Sequence, residues 1–180
     1  MQKYISILRG INVGGHKMIK MDVLRKMYEA LDFLEVKTYI QSGNVIFVYK
    51  KTNCKDLENK IAENIVKILG FDVPVIVKEV EDMAIILQNN PFVRERNEDE
   101  KALHVTFLSK IPDTEAVEKI KNATYDGDEF VIVEKTVYLY CVNSYHKTKL
   151  SNNFFEKKLN TTATTRNWKT VNELVKIATE

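Results

Sequence analysis

The most distinctive polar residues of this 180-residue chain gather in three short segments. The first is Arg9-Gly10-Ile11-Asn12-Val13-Gly14-Gly15-His16-Lys17. Glycines admit positive φ and close main-chain approach, so amide groups can converge on an anion. Arg9 adds a planar guanidinium that suits phosphate or carboxylate, or else an ion pair with a structural carboxylate of the chain itself. The spacing departs from the known phosphate loops. Asn12 stands where a dinucleotide fingerprint needs glycine. Gly10 and Gly15 have P-loop spacing, but His16 and Lys17 replace the lysine and the hydroxyl residue. Arg9, Asn12, Gly14, Gly15 and Lys17 are therefore read as an anion- or nucleotide-cradling loop of another kind. The structural alternative is a turn that only re-aims the chain.

The second segment, Gln41-Ser42-Gly43-Asn44, is ordinary turn chemistry, yet Gln41 and Asn44 offer amides suited to the edge of a polar ligand. The third runs from Tyr145 to Lys169. It carries six cations (Lys147, Lys149, Lys157, Lys158, Arg166 and Lys169) against the single acid Glu156. Arg166-Asn167-Trp168 sets a guanidinium, an amide and a ring before a helix, a combination suited to a phosphate-bearing ligand with a planar base. Lys149, Arg166 and Asn167 are its candidate contacts, whereas a lone Trp is more often a core anchor. Catalytic candidates are thin. His16, His104 and His146 are scattered without the spacing of metal ligands, so no metal and no cofactor is expected. His104 reads as a structural residue on a strand. Cys54 lies at a helix start, which favours a thiolate, but nothing pairs it with a base.

The elements that must position these residues follow from periodicity. Residues 3–9 read as a strand, 21–31 as an amphipathic helix and 36–49 as a hairpin. A second helix through Leu57, Ile61, Ile65 and Leu69 stops at Gly70, and Val73 to Val80 is a strand. A short helix spans 81–88, and the charged run Arg94 to Lys101 is a solvated connection. Leu103 to Leu108 is a strand, and Pro112-Asp113 opens a helix. Phe130 to Val133 and Thr136 to Val142 form a hairpin, and Phe154, Phe155 and Leu159 mark a helix. A last helix begins at Thr170, where Thr170-Val171-Asn172-Glu173 fits a capping box. Two successive β-α-β-β-α runs predict an α+β protein of two ferredoxin-like modules, 1–80 and 81–180, with antiparallel sheets packed into one compact unit.

Composition narrows the function classes. Apolar residues are 44% and charged residues 29%, which excludes a disordered chain. The net charge of +2 disfavours a broad nucleic-acid surface. The third strand only loosely fits the aromatic pattern of an RNA-recognition module. Two distant cysteines exclude a zinc ribbon or a dithiol motif. Arg9 interrupts the N-terminal apolar run, and no run approaches the roughly 20 residues that span a bilayer. A soluble cytoplasmic protein with reduced thiols and no membrane partner is expected.

Leu8-Arg9-Gly10-Ile11-Asn12-Val13-Gly14-Gly15 is followed by Tyr39-Ile40-Gln41-Ser42-Gly43-Asn44-Val45-Ile46-Phe47, then Asn90-Pro91-Phe92 and Thr164-Thr165-Arg166-Asn167-Trp168. This set, in this order, resembles the bacterial domain-of-unknown-function family 1697 (DUF1697). The resemblance spans essentially the whole chain. It implies a compact α+β cytoplasmic protein of about this length, and no chemistry. One segment departs from the family pattern: Tyr145-His146-Lys147-Thr148 stands before Lys149-Leu150 where glycine and serine are expected.

The residues support three functional readings. The first is a binding module for an anionic ligand, a nucleotide, phosphorylated metabolite or nucleic-acid end, on which the glycine loop and the C-terminal segment would converge. The second is an enzyme acting on a phosphorylated or nucleotidyl substrate, with His16 as the base beside the loop. The third is a structural or interaction protein in which Arg9 and Arg166 are buried in ion pairs.

Overall fold

Alternate residues of the first strand, β1 (Gln2–Leu8), serve two different layers. Tyr4 and Leu8 enter a core with Val45, Phe47, Val75 and Val77, whereas Ile5 and Ile7 point to the other face and are equally buried. In the computed structural model, which describes residues 1–180, β1 is the centre of a four-stranded antiparallel sheet. The chain continues through α1 (Met21–Glu29), β2 (Leu34–Tyr39), β3 (Asn44–Tyr49), α2 (Cys54–Leu69) and β4 (Val75–Glu79), and the sheet order is β2-β3-β1-β4. The helices supply Leu24, Met27, Tyr28, Leu57, Ile61 and Ile65 to the same core. Its centre is aromatic: Phe33 stacks on Phe47 at 4.3 Å, and Tyr28 meets both rings edge-on. The Tyr28 hydroxyl is satisfied by Ser6 Oγ at 2.8 Å, so the ring is buried without an orphaned polar tip.

The same order recurs. After α3 (Val80–Gln88), α4 (Pro91–Arg94) and a short 3₁₀ turn (Glu100–Ala102) come β5 (Leu103–Leu108), α5 (Thr114–Lys121), β6 (Glu129–Val133), β7 (Thr136–Tyr140), α6 (Asn152–Leu159), β8 (Ala163–Asn167) and α7 (Trp168–Thr179). The second sheet runs β6-β7-β5-β8, again antiparallel throughout. Both orders are those of a ferredoxin-like module, so the predicted α+β class with two such sheets holds. The second core joins Leu108, Val137, Leu139 and Ala163 to Val117 and Ile120 of α5 and to Phe155 and Leu159 of α6. By contacts, one unit is Met1–Ala84 with Glu173–Glu180, and the other is Ile85–Asn172. Element order alone puts the break after residue 80 and leaves the last helix whole in the second module. Within the first unit, Lys3 Nζ donates to the Ala178 carbonyl, which ties the end of α7 to β1.

Two local expectations change. Residues 163–167 are the edge strand β8, where the sequence shows only hydroxyls around Ala163. In consequence α7 begins at Trp168, not Thr170, and its first turn is capped by Asn167, whose Oδ1 accepts from Thr170 N at 2.8 Å. Thr170 lies inside the helix and is buried, so the Thr170–Glu173 capping box does not form.

The faces of the sheets turned away from the helices are also buried. Ile5, Ile7, Ile46 and Ile76 on the first, and Leu103, Val105, Phe107 and Tyr138 on the second, are 0–2% exposed. The open aromatic sheet face on which single-stranded RNA stacks is therefore not offered at these positions.

Each unit ends its sheet in the same way. The edge amide of Val77 in β4 donates to Glu58 Oε1 of α2 at 3.0 Å, and the edge amide of Ala163 in β8 donates to Glu156 Oε1 of α6 at 3.0 Å. Each glutamate is the fifth residue of its helix. A buried amide without an acceptor costs about 1–3 kcal/mol. Glu58→Ala is therefore expected to lower unfolding stability by about 1–3 kcal/mol while Glu58→Gln, which keeps an acceptor oxygen, stays closer to the parent. Urea unfolding midpoints at unchanged slope check this.

Candidate functional site

In the first unit, the glycine loop folds into a small hairpin of its own. Val13 and His16 pair, His16 N donates to Val13 O at 3.0 Å, and Gly14 and Gly15 between them have φ of 60° and 75°. Two successive positive φ values make a tight turn that suits glycine. The loop is anchored by the buried Ile11 and Ile19, and Asn12 locks it. Asn12 Oδ1 accepts from Ile19 N at 2.8 Å, and Asn12 Nδ2 donates to Ile19 O at 2.9 Å and to Gln41 O at 2.8 Å. The last bond joins the loop to the β2–β3 turn, so both lie at one end of the first sheet.

That turn is tied down as well. Leu8 N donates to Gly43 O at 2.8 Å. Gly43 has φ of 80°, and a Cβ there would stand 2.6 Å from Ile11 Cδ1 and 2.9 Å from Leu8 Cβ, so only glycine fits. Asn44 is fully buried and donates to Tyr39 O and Ser42 Oγ. Lys17 Nζ donates to the Asp72 carbonyl. Arg9 is half-buried, and its main-chain N–H bonds to Pro74 O at 2.9 Å. Gly14, Gly15, His16 and Gln41 are exposed. Among these candidates, Asn12, Lys17 and Asn44 thus use their side chains to build the loops.

In the second unit, β8 separates its two candidates. Arg166 pairs across from Val105, and Asn167 from His104, so the two side chains leave opposite faces. Arg166 is buried and donates from Nη1 to Thr165 O at 2.9 Å. Burial pushes its guanidinium down to about 10, against an opposing effect from Tyr145. It still carries its charge at neutral pH. Lys149 meets Asp126 at 2.8 Å in an exposed pair, a contact that contributes little in water. Trp168 is 3% exposed and belongs to the interior, as a lone Trp most often does.

Asn167 instead lines a depression of about 670 Å³ with Asp99, Glu100, Lys101, His104 and Lys169. That volume lies in the range of small-molecule sites. His104 is 9% exposed, and its imidazole stacks on Tyr145 with ring centres 4.9 Å apart. Burial lowers its pKa below the ordinary 6.5, a bond to the Ala102 carbonyl acts the other way, and the nearby His146 lowers it further. The ring is therefore neutral near pH 7. Its Nδ1–H donates to the Ala102 carbonyl, so Nε2 offers an acceptor rather than a charge. Lys101 and Lys169 supply positive charge at the rim, Asp99 and Glu100 supply negative charge, and Asp99 is engaged as the cap of the 3₁₀ turn through Lys101 N. The residue pattern by itself does not reveal this site. Its one available signal is the β-branched run Thr161–Thr165, which, read as a strand, would place Asn167 beside His104.

The thiols are held protonated. Burial, with Glu79, Asp82 and Glu58, raises Cys54, and burial raises Cys141 to about 11. The helix-start advantage noted for Cys54 is thus outweighed by burial and by its acidic surroundings. No group of three or more His, Cys, Asp or Glu side chains is placed to hold a metal ion. No helix is long and apolar enough to cross a membrane.

A family profile described as "Protein of unknown function (DUF1697)" matches residues 1–138. No curated protein matches the chain significantly. Among solved structures, a conserved bacterial protein from Streptococcus pneumoniae is similar over 98% of both chains, with a TM-score of 0.76 at 22% identity. That similarity supports the fold.

Two outcomes test this geometry. Asn12→Ala removes three hydrogen bonds and is expected to lower stability by about 1–3 kcal/mol in chemical unfolding, with exposed Gln41→Ala close to neutral. For His104, the unfolded chain takes up its proton first as pH falls, because the folded pKa lies below 6.5. Its contribution is therefore complete above pH 6.5 and is lost as pH falls through the folded pKa. As pH falls from 6.5 to that point, melting temperature should drop less steeply in His104→Gln than in the parent.

Proposed function

The chain belongs to the DUF1697 family, and from that premise we propose that it is a binding module for a small anionic ligand, a nucleotide or phosphorylated metabolite, with its site in the second-unit depression. The observation that carries this reading is the set Lys101, His104, Asn167 and Lys169 around one hollow of about 670 Å³. Two ammonium groups suit a phosphate. A neutral imidazole and an amide suit the donor and acceptor edge of a base or a sugar. Glu100 favours a ligand that also carries donor groups, as the exocyclic amines of adenine, guanine and cytosine do. Arg9, Gly14, Gly15 and Gln41 of the first unit are a separate proposal, since they keep exposed or half-exposed surface at the loops that Asn12, Lys17 and Asn44 build.

A second reading, in which the arginines serve structure, is favoured at Arg166 by its burial and its bond to Thr165 O. The enzyme reading rests on His16, which is exposed at the tip of the loop hairpin.

Thermal shift with ATP, GTP, AMP, a sugar phosphate and inorganic phosphate tests the proposal. A ligand that binds the folded state alone adds about 2.7 kcal/mol at a hundredfold excess over Kd. Lys169→Glu should abolish that shift while leaving the ligand-free melting temperature within about a degree or two of the parent, because the side chain is exposed. Equal shifts in parent and variant, or none with any of these ligands, would sink the assignment. Arg9→Ala tests the first-unit loop separately.

A further inference from the structure

A polar group already bonded to its own chain can offer a ligand only what is left over. In the hollow of the second unit that remainder is specific. His104 commits Nδ1–H to the Ala102 carbonyl, so Nε2 is left as an acceptor on a ring that lines the hollow. Asn167 commits Oδ1 to Thr170 N at 2.8 Å, so its Nδ2 is left as a donor. The Glu100 carboxylate is exposed at the rim and can only accept.

The first two groups are held in place. His104 is buried and stacks on Tyr145, and Asn167 is fixed as the cap of α7. They stand directly opposite each other across β5 and β8. That relation puts two side chains on one face of a sheet with Cβ atoms about 4.5–5.5 Å apart. The hollow thus sets an acceptor beside a donor, with a carboxylate as a second acceptor. Lys101 and Lys169, which donate only, stand outside this set and serve the phosphate.

We propose, resting on the reading of the hollow as a nucleotide site, that His104, Asn167 and Glu100 select a base whose exocyclic amine stands beside an unprotonated ring nitrogen, as in adenine and cytosine. The amine has two hydrogens, one for Nε2 of His104 and one for the Glu100 carboxylate. The ring nitrogen accepts from Nδ2 of Asn167. A ring N–H or a sugar hydroxyl has one hydrogen and serves only one of the two acceptors. Hypoxanthine and uracil invert the edge. In the same pose a keto oxygen meets two acceptors, and a ring N–H meets the Asn167 donor. Such mismatches leave buried polar groups unpaired, and a site built around a ligand's N–H rejects an analogue without it far more strongly than an apolar pocket rejects a missing methylene.

Isothermal titration calorimetry on the full chain, with AMP, IMP, CMP and UMP, tests the proposal. AMP and IMP share one sugar and phosphate, as do CMP and UMP, so the ratio of affinities within each pair reads the base edge alone. AMP and CMP should bind at least about tenfold more tightly than IMP and UMP. His104→Phe keeps a ring to stack on Tyr145 but has no acceptor, and its ratios should fall towards one. Glu100→Ala, at an exposed position, should narrow them too, and it holds the test open should the His104 variant fail to fold. Equal affinities within either pair, or tighter binding of IMP or UMP, overturn the proposal and leave the anion site standing, since both members still bind. Ratios unchanged in the folded variants overturn it equally. No binding by any of the four overturns the nucleotide reading of the hollow together with it.

Discussion

A four-stranded sheet leaves two rows of main-chain amides without strand partners, and every amide taken out of water needs an acceptor. In both units of this protein the last strand is an edge strand, and in both a glutamate from the second helix of the repeat reaches that edge. Glu58 and Glu156 hold their amides at the same distance of 3.0 Å and occupy the same turn of their helices. Much else depends on this contact. It lets α2 and α6 lie against their sheets with β4 and β8 in place. On β8 it fixes the strand that leads directly into Asn167 and α7. The repeat of element order is therefore also a repeat of a specific polar solution, although the two halves share little residue identity.

The two groups of distinctive residues prove to have different characters. At the end of the first sheet, Asn12 spends both ends of its amide on the main chain, and Asn44 and Lys17 donate to main-chain carbonyls. Their residue types are explained by loop construction: a Gly-Gly hairpin and a β-turn are clasped together, with Gly43 admitting Ile11 and Leu8 where no side chain could stand. In the second unit, the buried imidazole of His104 and the helix-capping amide of Asn167 face one hollow rimmed by charges of both signs. Under the proposed function such a lining would select a ligand by orientation as much as by charge, since a neutral ring stacked on Tyr145 holds its acceptor nitrogen in one direction before anything binds.

Most of the fold was legible in the residues. Period-two runs such as Leu103 to Leu108 became strands with the bounds expected, and helical periods in 21–31 and 57–69 became α1 and α2. Gly70 ended its helix where it was expected to. The strand β8 escaped because Thr-Thr-Ala-Thr-Thr is polar by composition, while Thr165 is satisfied across the sheet: Thr106 and Thr165 bond each other at 2.6 Å. Missing that strand also displaced the start of α7 by two residues, since a capping box at Thr170 looks sound until Asn167 is seen to cap the helix first.

Local chemistry set the elements, their turns and the α+β class, because propensity, hydrophobic period and turn residues act over a few positions at a time. The same local reading picked out Asn12, Gln41, Asn44, Arg166 and Asn167 as unusual. Only the folded chain decided what each of them does. A hydrogen bond from Asn12 to Gln41, a pairing of His104 with Asn167 and the burial of Arg166 on the other face of β8 all join residues far apart in sequence. Whether a polar side chain meets a main-chain carbonyl, an open hollow or a buried sheet face depends on strand order and register, and those are properties of the packed sheet.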